Sequence, residues 1–496
     1  MARTRLTFCD QCLLAIFVVI MGGSCSAAAE ENVTATPNIE QRVERIIDGL
    51  RPAVDIAGEA PKKLKLIKRM NDLHVPGVSI AVIHGGAVEW ARGFGVAAIG
   101  GSPVESETLF QAGSISKPVS AVAALALVQA GKLDLDADVN LALKSWKIPA
   151  NPYTDEAKVT LRRLLNHSAG ITVDGFPGYP ADGPVPSLVD VLDGTPPANT
   201  APIRVDTPPG KQFRYSGGGY TIMQQLLIDV AGKPFPDLLE ETVLKPFGMT
   251  HSHFHQPLPP GDTSMSSTPY RVEGTPVPGG PHTYPELAAA GLWTTPTDLA
   301  RFALALQNAW AGRDTLVLSQ STASQMLTPG LGDYGLGPIV RGSPPQRRFL
   351  HEGINDGFVN SMIAFESGDG AVVMTNGIRG RQLAREIMAS IAVEYHWPYG
   401  QPITRQRTTV SPQLLERLAG TYELSPAFRI MISSKGDRLF AQSIGQPRFE
   451  IFPQSDRDFF YTTIDAVITF DTDGQANAGQ LTLHQNGADL VGKRVP

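Results

Sequence analysis

At residues 113–117 the chain reads Gly-Ser-Ile-Ser-Lys, and an apolar run that is typical of a buried helix follows at residues 119–128. Ser114 and Lys117 are three positions apart, so on a helix they lie on one face. A serine hydroxyl is a poor nucleophile until a base takes its proton, and a helix N-terminus favours negative charge. The stretch therefore predicts an activated serine. Taken alone, it fits equally a helix cap at Ser114 beside a solvated Lys117.

Strand-like runs bracket a helical middle in the sequence around this stretch. Residues 77–83 and 87–91 precede the helical part, and residues 358–365 and 371–374 follow it. This order predicts an α/β (α+β) domain with an antiparallel sheet, flanking helices and an inserted helical subdomain. A stretch rich in Pro, Gly and Asp at residues 171–210 predicts a long loop, which we expect to wall a functional site.

The last part of the chain has a different character. Residues 397–410 read as a linker, and from about residue 411 short apolar runs alternate with turn residues. Such spacing is typical of a small antiparallel β-barrel or sandwich. We therefore predict two folded domains, at residues 38–398 and 411–496, the second an antiparallel β-barrel.

Residues 1–29 read as a signal peptide, with an apolar core at residues 13–21 and small residues up to Ala29. The three cysteines of the chain all lie in this segment, which excludes a disulfide framework or a thiolate metal site from the mature protein. A periplasmic or secreted location follows, with no stable membrane span after cleavage. A lipoprotein anchor at Cys25 is less favoured, because Gly22 is a poor residue three positions before it. The net charge of −6 argues against a nucleic-acid surface.

Two further clusters carry residues that could work with Ser114. Tyr215-Ser-Gly217 stands shortly before a helix that we predict to begin at Thr221, and His351-Glu-Gly353 stands beside a strand-like run. Together with Lys117 they add an amine, a phenol and an imidazole to the hydroxyl. Only a folded chain can bring these distant groups together.

In this pattern the chain resembles the serine hydrolases related to class C β-lactamases, D,D-peptidases and family VIII esterases. The family elements Ser-x-x-Lys, Tyr-x-Asn and Lys-Thr-Gly or His-x-Gly occur in this order. The resemblance covers roughly residues 38–398, and the β-rich tail resembles the lipocalin-like accessory domains that follow some members. Other matching stretches lie at residues 110–114, 164–171, 244–249 and 290–302.

The resemblance implies a role for each matching residue. Ser114 would be the nucleophile, Lys117 and Tyr215 would share the general-base and general-acid work, and His351 would hold the third corner of the site. The backbone N–H groups of Ser114 and Ile354 would form the oxyanion hole. The reaction would be acyl transfer to Ser114 followed by hydrolysis, with no cofactor and no metal.

Three positions around this centre are expected to contact substrate, and two of them depart from the family pattern. Gly217 stands where the family has Asn, and Glu352 stands where it has Thr. Gly353 would leave room for substrate along the strand. If Glu352 points into the site, it should repel a substrate carboxylate, whereas strand alternation could turn it away.

The sequence thus predicts a serine hydrolase that acts on an ester, or on an amide without a free carboxylate beside the scissile bond. One alternative is a β-lactamase or D-alanyl-D-alanine carboxypeptidase. Another, from a different class, is a non-catalytic protein that binds peptidoglycan or peptides. The partner would be a small molecule or peptide, and the sequence leaves the oligomeric state and the role of the β domain open.

Several other patterns are interpreted as structural. The Gly-x-Gly-x-x-Gly stretch at residues 330–335 is not set in a strand–turn–helix, so we read it as a loop entering a strand. The aspartates at residues 134–138 lack the Gly and Glu of a calcium loop. The alternating histidines at residues 251–255 could hold a metal on a strand, but we favour a structural role for them and for His167.

Overall fold

A computed structural model describes residues 38–426, 428–444, 446–472 and 476–496. The predicted signal peptide at residues 1–29 lies outside the described residues. Within these ranges no helix has the length and apolar character needed to cross a membrane. Residues from Ile39 to Pro496 form one compact unit.

The described chain alternates short strands and helices. The helices are α1 Ile39–Ile47, α2 Leu66–Leu73, α3 Ser116–Gln129, α4 Pro152–Glu156, α5 Leu161–Leu165, α6 Leu188–Asp193, α7 Gly217–Ala231, α8 Phe235–Leu239, α9 Leu287–Ala290, α10 Pro296–Trp310, α11 Gln320–Met326, α12 Gly380–Glu394 and α13 Pro412–Leu418. The strands are β1 Val54–Ile56, β2 Gly77–His84, β3 Ala87–Gly95, β4 Phe110–Gln111, β5 Trp293–Thr294, β6 Ile339–Arg341, β7 Arg348–Asn355, β8 Phe358–Phe365, β9 Gly370–Thr375, β10 Ile403–Arg405, β11 Gly420–Ser425, β12 Phe428–Lys435, β13 Arg438–Ser443, β14 Phe449–Pro453, β15 Asp458–Tyr461, β16 Ala466–Asp471, β17 Gln480–Gln485 and β18 Ala488–Val495.

The central sheet has six strands in the order β3-β2-β9-β8-β7-β6, and every neighbouring pair is antiparallel. The alternation of side chains decides what each face buries. Val78 and Ile80 of β2 pack with α1, α2 and α12 on the outer face, whereas Ala81 and Ile83 pack with the helical middle on the inner face. The predicted antiparallel sheet with flanking helices and an inserted helical part is confirmed.

The C-terminal strands β11 to β18 form a closed antiparallel barrel, as predicted. Its interior is filled by side chains, among them Tyr422, Phe459 and Phe470. The predicted linker at residues 397–410 contains a short strand, β10, which pairs in parallel with β1. Hydrogen bonds from Val54 N to Thr462 O and from Thr408 N to Pro453 O then attach both segments to the barrel.

A close contact between β7 and the turn that carries Ser114 positions the site. Strand β6 pairs with β7 at Arg348–Leu350, so the later part of β7 presents its edge to a 3₁₀ turn at Gly113–Ile115. A Cβ atom on Gly353 would lie 1.8 Å from the carbonyl oxygen of Ala112. Gly353 was predicted to leave room for substrate. In the structure, a glycine is needed at this position because the serine turn packs directly against it.

We expect Gly353→Ala to destabilise the fold. The added methyl group must push β7 and the turn apart, and overpacking of this kind costs about 1–3 kcal/mol or more of unfolding free energy. Thermal unfolding of the variant measures the loss. Gly261→Ala is the matched control, because a Cβ atom there would meet nothing within 4 Å. Equal unfolding temperatures for Gly353→Ala and the wild type would contradict the contact.

Candidate active site

The structure places Ser114 and Lys117 side by side at the start of α3. Ser114 lies in the 3₁₀ turn Gly113–Ile115, and α3 continues from Ser116. The Lys117 side chain is buried, and its Nζ atom donates hydrogen bonds to Ser114 Oγ at 3.0 Å and to Ala289 O at 2.9 Å. Lys117 is therefore held against the hydroxyl and is not a solvated surface residue.

Tyr215 and His351 lie beside this pair. The Nζ atom of Lys117 is 5.0 Å from the centroid of the Tyr215 ring, and the Tyr215 and His351 ring centroids are 6.4 Å apart. The fold thus brings together the four side chains that the sequence pattern linked. Tyr215 comes from the segment just before α7 and His351 from β7, which are far apart in the chain.

His351 is a neutral imidazole with a defined tautomer. Its Nδ1 atom lies 2.5 Å from the carbonyl oxygen of Glu352, and because a carbonyl can only accept, Nδ1 carries the proton and donates. Burial, with the nearby charge of Lys117, lowers the pKa of His351 to about 3. The other ring nitrogen, Nε2, is then an unprotonated acceptor, and it is buried without a hydrogen-bond partner among the described residues.

The side chain of Glu352 points to the opposite face of β7 from His351. The strand buries His351 and Gly353 on the inner face, while Glu352 is half-buried on the outer face and pairs with Arg381 at 2.9 Å. The prediction that Glu352 contacts substrate is therefore corrected. Strand alternation turns its carboxylate away from Ser114, so it does not line this site.

Gly217 is the first residue of α7 and packs under the predicted wall loop. Its N–H donates to Asp174 O at 3.0 Å, and a Cβ atom on Gly217 would lie 2.9 Å from the Phe176 ring. An aromatic ring thus lies next to the position where the family pattern has an amide. The same loop is tied to the chain before α9 by backbone hydrogen bonds between Tyr179 and Thr283.

The backbone of Ile354 approaches the serine turn from β7. Gly113 has a φ of +56°, and a Cβ atom built on it would lie 2.5 Å from Ile354 N. Only a glycine permits this approach at a left-handed backbone conformation. The N–H groups of Ser114 and Ile354 therefore belong to two segments in direct contact, which is the arrangement that the predicted oxyanion hole needs.

His167 is a positioning residue whose partner the sequence did not reveal. Its Nδ1 atom accepts a hydrogen bond from Ser216 N at 3.1 Å, and its ring centroid lies 4.3 Å from that of Tyr215. Burial lowers its pKa well below the usual value, so the ring is neutral. A structural role was predicted for His167. In the structure, His167 holds the segment that carries Tyr215 through its hydrogen bond with Ser216.

Glu286 is a further buried titratable group near the site. It stands just before α9, whose Ala289 carbonyl holds Lys117. Its side chain is fully buried, neither carboxyl oxygen has a hydrogen-bond partner among the described residues, and burial raises its pKa to about 8. Glu286 is thus protonated at neutral pH.

The other sequence patterns lie outside this cluster. The glycine-rich stretch forms a 3₁₀ turn at Leu331–Asp333 in the loop before β6. In the aspartate stretch, Asp136 forms an ion pair with Arg162. Among the alternating histidines, the Nε2 atom of His253 lies 3.3 Å from the Oδ2 atom of Asp262. Within the described ranges, no group of three or more His, Cys, Asp or Glu side chains is arranged to hold a metal ion.

Comparison with known proteins agrees with this fold. The matches define a serine hydrolase of the β-lactamase and transpeptidase superfamily. The chain belongs to the Beta-lactamase family, whose model matches residues 64–392, more than half of the 496 residues. A second model, described as a domain of unknown function (DUF3471), matches residues 404–494, where the barrel lies.

Two relatives and one solved structure illustrate the match. Penicillin-binding protein 4* of Bacillus subtilis (strain 168) is 22% identical over 451 residues, which cover 86% of this chain and 96% of the relative. Penicillin-binding protein 4 of Amycolatopsis lactamdurans is 27% identical over 390 residues, which cover 71% and 93%. The octameric penicillin-binding protein homologue from Pyrococcus abyssi superposes with a TM-score of 0.59 at 21% identity, over 86% of this chain and 98% of that one. Its likeness shows the fold.

We expect the hydrogen bond from Ser216 N to His167 Nδ1 to contribute to both stability and turnover. His167→Leu leaves the buried Ser216 N–H without a partner, which costs about 1–3 kcal/mol. His167→Asn keeps an acceptor and tolerates the φ of 58° at this position. Thermal unfolding and ester hydrolysis should therefore fall further in the Leu variant than in the Asn variant. Equal losses in both variants would show that the hydrogen bond is unimportant.

Glu286 should make stability depend on pH. Between its ordinary pKa of 4.5 and about 8, the folded chain keeps a proton that the unfolded chain has released. The free energy of unfolding therefore falls as pH rises through this window, by about 1.4 kcal/mol per pH unit. Glu286→Gln has no such proton and should gain stability relative to the wild type from about pH 5 to pH 8.

Thermal unfolding at several pH values measures this difference. Glu273→Gln, at an exposed position, controls for the loss of one carboxyl group. A gap between Glu286→Gln and the wild type that stays constant with pH would contradict the raised pKa.

Proposed function

We propose that the protein hydrolyses ester or amide bonds through an acyl-Ser114 intermediate. The observation that carries the proposal is the 3.0 Å hydrogen bond between buried Lys117 Nζ and Ser114 Oγ. In its neutral form, an amine held in this position can take the hydroxyl proton as Oγ attacks the acyl carbonyl carbon. The N–H groups of Ser114 and Ile354 would stabilise the oxyanion that forms.

Tyr215 is proposed to complete the proton transfers. Its ring lies against Lys117, so a proton taken from Ser114 can pass to the leaving alcohol or amine as its bond to the acyl carbon breaks. Water then attacks the acyl-Ser114 carbonyl carbon, the bond from that carbon to Oγ breaks, the carboxylic acid leaves, and a proton from the water returns to Ser114 Oγ. The unprotonated Nε2 of His351 is left to accept a hydrogen bond from the substrate, and the neutral ring adds no charge to the site.

The surroundings favour a substrate without a carboxylate next to the scissile bond. His351 is neutral, so the third corner offers no cation where the Lys-Thr-Gly pattern has a lysine. At Gly217 the amide of the family pattern is missing, and the Phe176 ring lies beside that position. These two features support the preference for substrates without a carboxylate. Glu352 does not contribute to it, because its side chain is turned away from this site and pairs with Arg381.

A second candidate activity draws on the relatives. Two of them are named penicillin-binding proteins, which favours acylation of Ser114 by penicillins or cleavage of peptides that end in D-Ala-D-Ala. Both reactions would use the same serine and lysine. They differ from the first candidate in the carboxylate that the substrate brings.

A small substrate panel separates these activities. The panel comprises p-nitrophenyl acetate and butyrate, nitrocefin, and a D-Ala-D-Ala peptide. We expect kcat/KM for the two esters to exceed that for nitrocefin and the peptide by at least about tenfold, which is about 1.4 kcal/mol of transition-state binding. Faster turnover of nitrocefin or the peptide than of the esters would contradict the preference.

Two serine variants control the assay. Ser114→Ala should abolish turnover of every substrate. Ser120→Ala is the matched control, because Ser120 lies on the same helix, is fully buried, and its hydroxyl has no hydrogen-bond partner among the described residues. Residual ester turnover in Ser114→Ala at the wild-type rate would assign the activity to another group.

A further inference from the structure

A cleft of about 630 Å³ lies on the outer side of the sheet, between the hydrolase domain and the barrel. Its walls come from β7, β8 and α12, from residues 397–403, and from residues 463–465 of the barrel domain. A volume of this size is typical of small-molecule sites. Ser114, Lys117, Tyr215 and His351 do not line it, so the cleft is separate from the candidate active site.

The cleft keeps apolar surface accessible. Leu350, Ile363 and Met388 are half-buried along it. Tyr399 and Ile403 are 44% and 38% exposed in its wall. Covering this surface would be favourable for a ligand with an apolar body.

The negative charges of the wall are already neutralised. Each of the three carboxylates that line the cleft has an arginine partner within hydrogen-bond distance. The pairs are Glu352–Arg381, Glu386–Arg69 and Asp465–Arg405, with N–O distances of 2.9, 2.8 and 2.8 Å.

One positive charge in the wall is left over. Arg385 lies one turn after Arg381 on α12, and within the described part of the chain it makes no hydrogen bond or ion pair. Arg341, which also lines the cleft, is paired with Asp333 at 3.0 Å. Desolvation lowers the pKa of Arg385, and the nearby carboxylate of Glu352 only partly offsets this effect. Arg385 is exposed at the cleft wall, so its guanidinium can reach a bound anion.

We propose that this cleft binds an organic monoanion, namely a carboxylate on an apolar body of medium length, with Arg385 as its anchor. A guanidinium presents a planar fork of donors that matches a carboxylate in a bidentate pair. A single unpaired arginine suits one negative charge, and the apolar wall around Tyr399 and Leu350 suits a hydrocarbon or aromatic body.

The proposal also gives the barrel a role. The barrel interior is filled by its own core, whereas Ile464 is half-buried at the wall of the cleft. The domain thus contributes one side of a binding site on its outer surface. This inference concerns the cleft alone and holds whichever substrate Ser114 takes.

Titration calorimetry with octanoate tests the proposal on the Ser114→Ala protein, in which turnover is removed. We expect one octanoate per chain with a Kd of about 1 mM or tighter. Octan-1-ol and octyltrimethylammonium carry the same alkyl chain without the negative charge and should bind at least about tenfold more weakly. Absence of octanoate binding, or equal binding of octan-1-ol, would overturn the proposal.

Arginine variants in the same background locate the site. Arg385→Met should weaken octanoate binding by about tenfold or more, and Arg385→Lys, which keeps the charge, should retain most of it. Arg313→Met removes an exposed arginine outside the cleft and should leave binding unchanged. Circular dichroism melts confirm that each variant is folded. Octanoate binding that survives in Arg385→Met, as it would if octanoate occupied the Ser114 site, would overturn the proposal.

Discussion

The contact between the serine turn and the edge of β7 is the constraint on which the rest of the site depends. Gly113 adopts a left-handed conformation next to the backbone nitrogen of Ile354. Gly353 lies so close to the carbonyl oxygen of Ala112 that no side chain fits there. Buried amides reinforce the contact, since Asn355 donates to Gln111 Oε1 at 2.9 Å and to Ala290 O at 3.1 Å. In the proposed reaction, the backbone N–H groups of Ser114 and Ile354 would stabilise one acyl oxygen without the help of flexible side chains.

Burial selects the charge state of the groups around this contact. His167 and His351 are both kept neutral, and Glu286 is kept protonated at neutral pH. Lys117 lies among these neutral groups, held by hydrogen bonds to Ser114 and Ala289, and in the proposed reaction it is the group that exchanges a proton with Ser114. A neutral third corner and an aromatic neighbour at Gly217 then shift the expected substrates away from carboxylates.

Sequence patterns predicted the parts of the fold that follow from local periodicity. The pairing of Ser114 with Lys117, the strand-like runs of the central sheet and the short strands of the barrel all appear in the structure. The sequence predicts that this helix begins at Thr221, yet α7 begins at Gly217, where Ser216 caps it and the chain packs tightly although glycine disfavours helices. Tertiary contact overrode the propensity.

Long-range contacts account for the remaining differences. Alternation left both directions open for Glu352. The pairing of β7 with β6 and β8 sets its register, and on the outer face Glu352 pairs with Arg381 of α12. A lone histidine carries no signal for its partner, so the bond from Ser216 to His167 was not predictable. The pairing of β10 with β1 likewise joins segments that are far apart in the chain.

The central claim is that Lys117, held against Ser114, makes that hydroxyl the nucleophile. Intact-mass measurement after treatment with a fluorophosphonate tests this claim most directly. We predict a single adduct on Ser114 in the wild type, none in Ser114→Ala, and labelling at least about a hundredfold slower in Lys117→Met. Labelling of Lys117→Met at the wild-type rate, or of Ser114→Ala at all, would contradict the account.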